Sequence, residues 1–134
     1  MGWFGADAPE KPDRGRALGP AGEDLAAEHL RSLGYRILER NLKLRRGEID
    51  ILARDGDVLV IVEVKSASGG DISPTVHVNA QKARKLVSLV AELRQTRNLS
   101  DVAIRIDVVS VVMAGEKPLI TVYPRAIDAR GRRA

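Results

Sequence analysis

Four of the seven charged side chains between residues 47 and 68 lie in two apolar segments, residues 48–53 and 58–65. They are Glu48, Asp50, Glu63 and Lys65, and Ile, Leu and Val residues surround them in sequence. Charged groups remain in apolar surroundings only when they are paired, hydrogen-bonded or bound to a metal ion. Mg²⁺ and Mn²⁺ prefer oxygen ligands, and an adjacent ammonium group can stabilise negative charge on a phosphate. The stretch therefore indicates either a divalent metal site or a set of structural ion pairs.

A β-hairpin would place these residues on one surface. Residues 48–53 and 58–65 have the pattern of strands, and Asp55-Gly56 between them is typical of a two-residue turn. A turn at these two residues determines which positions face each other across the strands. The predicted facing pairs are Asp50 with Ile61 and Glu48 with Glu63.

The two faces of this hairpin differ in composition. Because side chains alternate along a strand, Lys65 projects from the same face as Glu63, and Asp50 lies diagonal to Glu63. Like charges that face each other across two strands repel, and a divalent cation would remove that repulsion. This face also includes Leu52, Leu59 and Ile61. The other face is predicted to be core and consists of Ile49, Ile51, Val58, Val60, Val62 and Val64.

The segment AGEDLAAEHLRSLG, residues 21–34, predicts an amphipathic helix with Gly34 at its C-terminal end. Glu23 shares the inward face with Ala26, Ala27 and Leu30, so its carboxylate is directed toward the sheet from the first turn. The outward-facing charged residues are Asp24, Glu28 and Arg31. An acid near a helix N-terminus is favourable without any further role, so Glu23 has a purely structural alternative.

The remaining pattern completes one α/β domain. Further strands are predicted at residues 35–40, 104–112 and 119–123, with a basic loop after the first. Residues 79–98 predict a second helix, whose inward positions are Ala83, Leu86, Val87, Val90 and Leu93. The order α-β-β-β-α-β-β predicts one central mixed sheet flanked by helices. Residues 1–20 are predicted to be a flexible leader, 21–127 the domain and 128–134 a basic tail.

Composition excludes several classes of protein. The chain has 134 residues and no cysteine, so disulfide frameworks and thiolate metal sites are excluded. No apolar run approaches the roughly 18 residues of a membrane span, and the N-terminus has no signal-peptide core, so we expect a cytoplasmic protein. His29 and His77 are too few for a histidine-based site, and no phosphate-binding glycine loop or serine-nucleophile pattern appears.

The net charge of +4 is weak evidence for a nucleic-acid partner, because residues 125–134 alone contribute +3. Clustering of the acidic residues at one site would nevertheless leave a basic surround elsewhere on the domain. The candidate residues for DNA binding are Arg45, Arg46, Lys82, Arg84 and Lys85, with Arg94 and Arg97 as further members of the surround. A mixed-charge solvated surface is the alternative. Aromatic residues make up only 3%, which disfavours base-stacking on single strands.

Several motifs together resemble a known family. Asp50 followed by Glu63-Val64-Lys65 resembles the PD-(D/E)xK nuclease signature. The wider set resembles the YraN-like family of uncharacterised bacterial proteins, which is similar to archaeal Holliday junction resolvases and restriction endonucleases. The motifs are GE at 22–23, GY at 34–35, ERN at 39–41, GEIDILARDG at 47–56, VEVK at 62–65 and RIDVVSV at 105–111.

This resemblance implies a restriction-endonuclease-like fold and a metal-dependent nuclease site. It implies Asp50, Glu63 and the Val64 carbonyl as ligands of Mg²⁺ or Mn²⁺, Lys65 as the catalytic lysine and Glu23 as the helix-borne acid. Glu48 and Gln81 are accessory candidates. The proline expected before the second helix is absent around residues 78–80, which leaves the contribution of that loop and helix open.

Three functions follow from these patterns. The first is a metal-dependent DNA endonuclease acting on double-stranded, branched or damaged DNA, with a homodimer as a possible assembly. The second is a nucleic-acid-binding module that keeps a dormant metal site. The third is a structural protein with internal ion pairs. Metal binding without cleavage would favour the second, and absence of metal binding would favour the third.

Overall fold

The computed structural model describes residues 19–68 and 78–128, which form one sheet and two helices. The elements are α1 (Gly19–Ser32), β1 (Arg36–Leu44), β2 (Gly47–Asp55), β3 (Val58–Ser68), α2 (Ala80–Thr96), β4 (Ile104–Ala114) and β5 (Lys117–Ile127). The strands form a five-stranded sheet in the order β1-β2-β3-β4-β5. β3 and β4 are parallel, and the other neighbouring pairs are antiparallel. The predicted α/β architecture, one central mixed sheet flanked by helices, is confirmed.

The element order was predicted correctly, but several bounds differ. α1 begins at Gly19, two residues before the predicted start of the domain. β1 extends through most of the predicted basic loop, so that only Arg45 and Arg46 remain in the turn before β2. The leader before residue 19 and the tail after residue 128 lie outside the described residues, as does His77. No described helix is long and apolar enough to cross a membrane.

Specific capping residues fix the ends of both helices. The N–H of Gly34 donates to the Arg31 carbonyl and that of Tyr35 to the Leu30 carbonyl, the pattern of a Schellman motif. Gly34 adopts a φ of 95°, which confirms its predicted role. At the start of α2, the Asn79 side chain accepts a 2.8 Å hydrogen bond from the Lys82 N–H. This cap fixes the first turn of α2 beside the sheet.

Each helix covers one face of the sheet. Around α1, a buried cluster contains Ala26, Ala27, Leu30, Ile37, Ile51, Ala53, Val60, Val62, Val109 and Val111. The larger cluster under α2 includes Leu52, Leu59, Ile61, Leu86, Leu89 and Leu93. The prediction for α2 missed Leu89, which is buried, whereas Val87 and Val90 are only partly buried.

The prediction for β2 was partly wrong, because Ile49 packs in the α2 cluster while Ile51 packs in the α1 cluster. Residues two apart on a regular strand lie on one face, so β2 changes its orientation at Asp50. On the neighbouring strand, Asn41 has a φ of 51° at the same level. Asp50 therefore occupies an irregular point of the sheet, between the two layers.

The predicted hairpin register was also wrong. Asp55 pairs with Val58 and Leu52 pairs with Ile61, so Gly56 and Asp57 form the two-residue turn, with Gly56 at a φ of 60°. A positive φ at the first central residue alone is typical of a type II′ turn, and glycine supplies it more readily than aspartate. The register differs from the prediction by two residues. An even shift by itself does not move a side chain to the other face of the sheet, but it changes which residues are opposite.

Both outer strands have interrupted edges. In β1, a register shift occurs between Ile37 and Glu39, and Asn41 has its positive φ. In β5, the pairing with β4 changes register between Ile106 and Val108 of β4. Arg125 has a φ of 55°, and β5 also contains Pro118 and Pro124.

Candidate functional site

Asp50 and Glu63 are the centre of the candidate site. The ladder between β2 and β3 runs as far as Ile51 and Val62, and one further step in this register brings Asp50 opposite Glu63. The Asp50 Oδ2 atom accepts a 2.8 Å hydrogen bond from the Val64 N–H, which holds its carboxylate against β3. Only 7% of the Glu63 side chain is exposed. The opposed carboxylates are therefore Asp50 and Glu63, rather than the predicted Glu48 and Glu63.

The electrostatics of the pair are unfavourable in the absence of a cation. The pKa of Asp50 is raised from an ordinary value of 3.8 to about 7, mainly by burial and next by the neighbouring Glu63 carboxylate. The hydrogen bond from Val64 opposes this shift, as does the charge of Lys82, whereas Glu23 adds to it. Two carboxylates that share a partly buried site cannot both ionise without cost. A cation bound between them would offset that cost.

Two ammonium groups approach the same oxygen of Glu63. The Nζ of Lys65, on β3, lies 3.9 Å from Glu63 Oε2, so the alternative Glu63–Lys65 ion pair is also present. The Nζ of Lys82, from the first turn of α2, is closer to that oxygen at 3.3 Å. Sequence reasoning assigned Lys82 only to DNA binding. The sequence shows a lysine one turn after the predicted start of the helix. It does not indicate that the side chain of this lysine reaches Glu63.

Glu23 lies near this pair, on the first half of α1. Its Oε1 accepts a 2.8 Å hydrogen bond from the Asn41 amide, and burial is the largest cause of its raised pKa. The adjacent Gly22 is buried, and a Cβ there would overlap the side chain of Ser66 on β3. The absence of a side chain at residue 22 thus allows α1 to approach β3 closely and places Glu23 beside the hairpin.

The neighbouring Asp24 does not point outward as predicted. Its Oδ1 lies 2.6 Å from Nη2 of Arg40, whose side chain is only 6% exposed. The buried cation on β1 explains this difference, because it needs a counter-ion from the helix above it. Of the accessory candidates, Glu48 and Gln81 are both exposed, and Glu48 contributes to the raised pKa of Glu23.

The basic turn between β1 and β2 is attached to α2. The backbone N–H groups of Arg45 and Arg46 donate to the Glu92 carboxylate at 2.7 and 3.0 Å. These three residues line a cavity of about 330 Å³ beside α2. A Cβ at Gly47 would meet the Cε of Lys85 at 2.8 Å, so the lysine side chain crosses directly over the glycine. Arg45, Arg46 and Lys85 are therefore neighbours, and Arg84 is exposed one residue before Lys85.

Arg94 and Arg97 do not belong to this basic surface, which corrects their predicted place in the surround. Arg94 donates to the Leu99 and Val102 carbonyls at 2.8 and 2.7 Å. Arg97 forms a bidentate pair with Glu39 on β1. Both guanidinium groups are held by interactions within the fold, at the end of α2 that is distant from Lys82.

A family model described as uncharacterised protein family UPF0102 matches residues 22–111. A UPF0102 protein of Anaeromyxobacter dehalogenans is 42% identical over 121 residues, which cover 90% of both chains. The chain belongs to this family. A second member, from Geobacter metallireducens, is 38% identical over 114 residues, covering 84% of this chain and 93% of its own.

Two solved structures are more distant in sequence. A structure of an EndoMS–dsDNA2 complex has a TM-score of 0.42 at 21% identity, covering 72% of this chain and 38% of that chain. The structure of Pyrococcus furiosus SfsA in complex with Ca²⁺ has a TM-score of 0.36 at 17% identity, covering 78% and 61%. The chain thus spans less than two thirds of either solved chain, and neither likeness bears on the site chemistry.

The donor atoms of the UPF0102 site suit a hard divalent cation. Asp50 and Glu63 offer carboxylate oxygens, and the Val64 carbonyl lies between Glu63 and Lys65 in the chain. Among residues 19–68 and 78–128, no three Asp, Glu or His side chains form a group that could hold a metal ion by themselves. Mg²⁺ commonly uses one or two protein carboxylates and takes its other ligands from water and substrate phosphates. Asp50, Glu63 and Val64 fit that pattern of binding.

A second buried acidic centre, which sequence reasoning missed, lies on the α1 face of the sheet. Asp107, on β4, is fully buried. It accepts hydrogen bonds from the Tyr35 hydroxyl at 2.9 Å, from Nε of Arg105 at 3.0 Å and from the Arg125 N–H at 3.0 Å. Arg105 also contacts Asp55 and the Tyr35 hydroxyl, each at 2.8 Å. The spacing Arg105-x-Asp107 on a strand is the sequence signal for this network, since residues two apart share a face.

Proposed function

We propose that this protein is a Mg²⁺- or Mn²⁺-dependent DNA endonuclease that hydrolyses phosphodiester bonds in double-stranded, branched or damaged DNA. The observation that supports this proposal is the pair of Asp50 and Glu63, partly buried beside two ammonium groups. A pair of this kind is costly as a structural feature, because each carboxylate disfavours ionisation of the other. The Asp50 and Glu63 pair is suited to binding a divalent cation that also coordinates a phosphate.

Each residue of the site would have a distinct role in hydrolysis. Asp50 and Glu63, with the Val64 carbonyl, would hold a metal ion, which when bound supplies activation of a water and charge neutralisation at the phosphate. Lys65 would stabilise negative charge on the phosphate in the transition state. Glu23 has a raised pKa and would accept a hydrogen bond or a proton from water at the edge of the site.

DNA is proposed as the partner because of the basic surface beside the carboxylates. Arg45, Arg46, Arg84 and Lys85 lie on the turn before β2 and on the first half of α2. The hydrogen bonds from the Arg45 and Arg46 N–H groups to Glu92 hold the backbone of this turn against the helix. Exposed cations contact phosphates without selecting a sequence, so we expect recognition of the backbone and shape of DNA.

The alternative is a non-catalytic DNA-binding module with a dormant metal site. The observation that favours it is the presence of Lys82 and Lys65 at Glu63, where they already compensate the carboxylate. Both candidates predict DNA binding, and they differ in turnover alone.

Incubation of the protein with linear, nicked and four-way-junction DNAs in Mg²⁺ or Mn²⁺ tests the proposal. We expect cleavage of at least one substrate, no cleavage in EDTA, and no cleavage by Asp50→Asn. Calorimetry with Mn²⁺ should give binding to the wild type and none to Asp50→Asn. Binding of Mn²⁺ without cleavage of any substrate would favour the dormant module, and absence of Mn²⁺ binding would remove both.

A further inference from the structure

Lys82 and Lys65 differ in how they reach Glu63. Lys65 is two residues from Glu63 on the same strand, so its position follows from the strand itself. Lys82 belongs to α2, which packs on the sheet from outside, and its Nζ is nevertheless the nearer at 3.3 Å against 3.9 Å. The backbone of Lys82 is fixed by the Asn79 cap, but 37% of its side chain remains exposed. The ammonium group can therefore move without any change in the helix.

In the metal-free protein, Lys82 partly neutralises the negative charge of the Asp50 and Glu63 pair. Its charge lowers the pKa of Asp50, which burial and Glu63 raise. Among the described residues, Lys82 is also the closest cation to the nearly buried carboxylate of Glu63. A divalent cation on Glu63 would repel an ammonium group at the same oxygen, because like charges at this separation interact strongly in a site with little water.

We propose that Lys82 is an exchangeable counter-ion: it neutralises Glu63 in the metal-free protein and is displaced when a divalent cation binds there. The displaced ammonium group then lies at the start of α2, beside the basic residues Arg84 and Lys85, and is available to a DNA phosphate. This inference rests on the proposed metal site. It adds a competition between a residue of the chain and the metal, and a link between metal loading and phosphate binding.

The linkage follows from thermodynamics. If metal binding releases Lys82 to a phosphate, DNA that engages Lys82 must in turn favour metal binding to the same degree. Lys65 does not provide this link as well, because its strand keeps it beside Glu63 in either state. The exchange therefore depends on α2. The family resemblance left the contribution of this helix to the site open.

The test compares Lys82→Met with Arg84→Met and the wild type. Both substitutions remove one positive charge from the same turn of α2 and keep a long side chain, but Arg84 has no described contact with Glu63. Mn²⁺ binding is measured by calorimetry at pH 8.5, above the Asp50 pKa of about 7, which limits proton competition at Asp50 when Lys82 is lost. Thermal unfolding is measured in EDTA on the same samples.

We expect Lys82→Met to bind Mn²⁺ about tenfold more tightly than the wild type, the scale of one close charge interaction partly screened by solvent. In EDTA, its melting temperature should fall below that of Arg84→Met. Equal or weaker Mn²⁺ binding by Lys82→Met would overturn the exchange while leaving the proposed metal site intact. Absence of Mn²⁺ binding by both the wild type and Lys82→Met would remove the metal site, and the exchange with it. Lys82→Gln, which keeps a polar end, serves as the second variant if Lys82→Met does not fold.

Discussion

Asp107 is a buried aspartate and Asp50 a partly buried aspartate of the same sheet, and their surroundings differ in kind. Asp107 accepts hydrogen bonds from a hydroxyl, a guanidinium group and a backbone N–H. Asp50 accepts one described hydrogen bond, from Val64, and lies beside another carboxylate. A structural acid in this fold is surrounded by donors within the chain. The acid of the candidate site is left with a charge that an external cation can balance.

The neighbouring cations differ in the same way. Arg105 is fixed by Asp107, Asp55 and Tyr35, and the hydrogen bond to Asp107 is the largest cause of its raised pKa. Lys65 and Lys82 each approach a single oxygen, with 41% and 37% of their side chains exposed. Rigid pairing holds the fold together at Asp107, whereas the Lys82 ammonium group, which reaches Glu63 from a separate element, is free to exchange.

The largest expected effect is the loss of the Asp107 network. Asp107→Asn should lower the free energy of unfolding by about 3–5 kcal/mol, because it leaves the partly buried Arg105 without its main counter-ion. Urea denaturation at pH 7.5 measures the change. Asp101→Asn, on an exposed turn, is the control and should change stability by less than about 0.5 kcal/mol. If Asp107→Asn lowered the free energy of unfolding no more than Asp101→Asn does, the network would not stabilise the sheet.

Lys65→Ala should have nearly as large an effect, but on rate instead of stability. If Lys65 stabilises charge on the phosphate, single-turnover cleavage with Mn²⁺ and saturating enzyme should slow by about 10²–10³-fold. DNA affinity should change far less, because one phosphate contact is a small share of the total. Lys117→Ala, an exposed lysine at the start of β5, provides the control. A folded Lys65→Ala protein that cleaves at the wild-type rate would leave Lys65 as a simple ion-pair partner.

Asp50→Asn should change stability in the direction opposite to Asp107→Asn. The pKa of Asp50 is raised on folding, so its favourable contribution is complete below about pH 4 and is lost as pH rises through about 7. At pH 8 without metal, Asp50→Asn should therefore be more stable than the wild type by about 1–4 kcal/mol, since three pKa units correspond to about 4 kcal/mol. The difference should disappear at pH 4.

Urea titrations in EDTA at pH 4, 6 and 8 measure this dependence, with Glu48→Gln on the same strand as the control. The asparagine can still accept the hydrogen bond from Val64, so the fold should be retained. If Asp50→Asn destabilises the protein at pH 8, Asp50 belongs with Asp107 as a structural acid, and the contrast between the two centres fails.

The smallest predicted effect concerns the approach of α1 to the hairpin. Gly22→Ala should cost about 1 kcal/mol, because the new Cβ would overlap Ser66 and the helix must shift. Ser66→Ala should recover part of this cost in the double variant, which urea denaturation of all four proteins measures. Strictly additive changes would show that the two residues are not in contact. Displacement of Glu23 should lower cleavage further than the stability change explains.

The faces of β3 and of residues 51–53 could be predicted from the sequence because side chains alternate along a regular strand, but the change of orientation at Asp50 could not. The facing pairs could not be predicted either, since Asp55-Gly56 and Gly56-Asp57 are both acceptable two-residue turns. The two choices differ by two residues, which explains why Asp50, Glu63 and Lys65 lie close together as predicted while the opposed carboxylates differ from the prediction.

Long-range partners were the part that sequence reasoning could not supply. The helical period of α2 identified Ala83, Leu86 and Leu93 as inward, but no local pattern indicates that the Lys82 side chain reaches Glu63. The same holds for Arg97 with Glu39 and for Arg40 with Asp24. These pairs depend on the crossing of helix and sheet, which the sequence specifies only through the whole fold.

The interrupted edges of the sheet affect how copies of the chain can associate. An outer strand with free N–H and C=O groups is a template on which a second molecule can add a strand, a route to both dimers and aggregates. Pro118 and Pro124 lack the N–H donor, and the positive φ angles of Asn41 and Arg125 interrupt the regular strand conformation at the two edges. The sheet is therefore poorly suited to continue into a neighbouring molecule, so a dimer of this protein would have to form through its helices or loops.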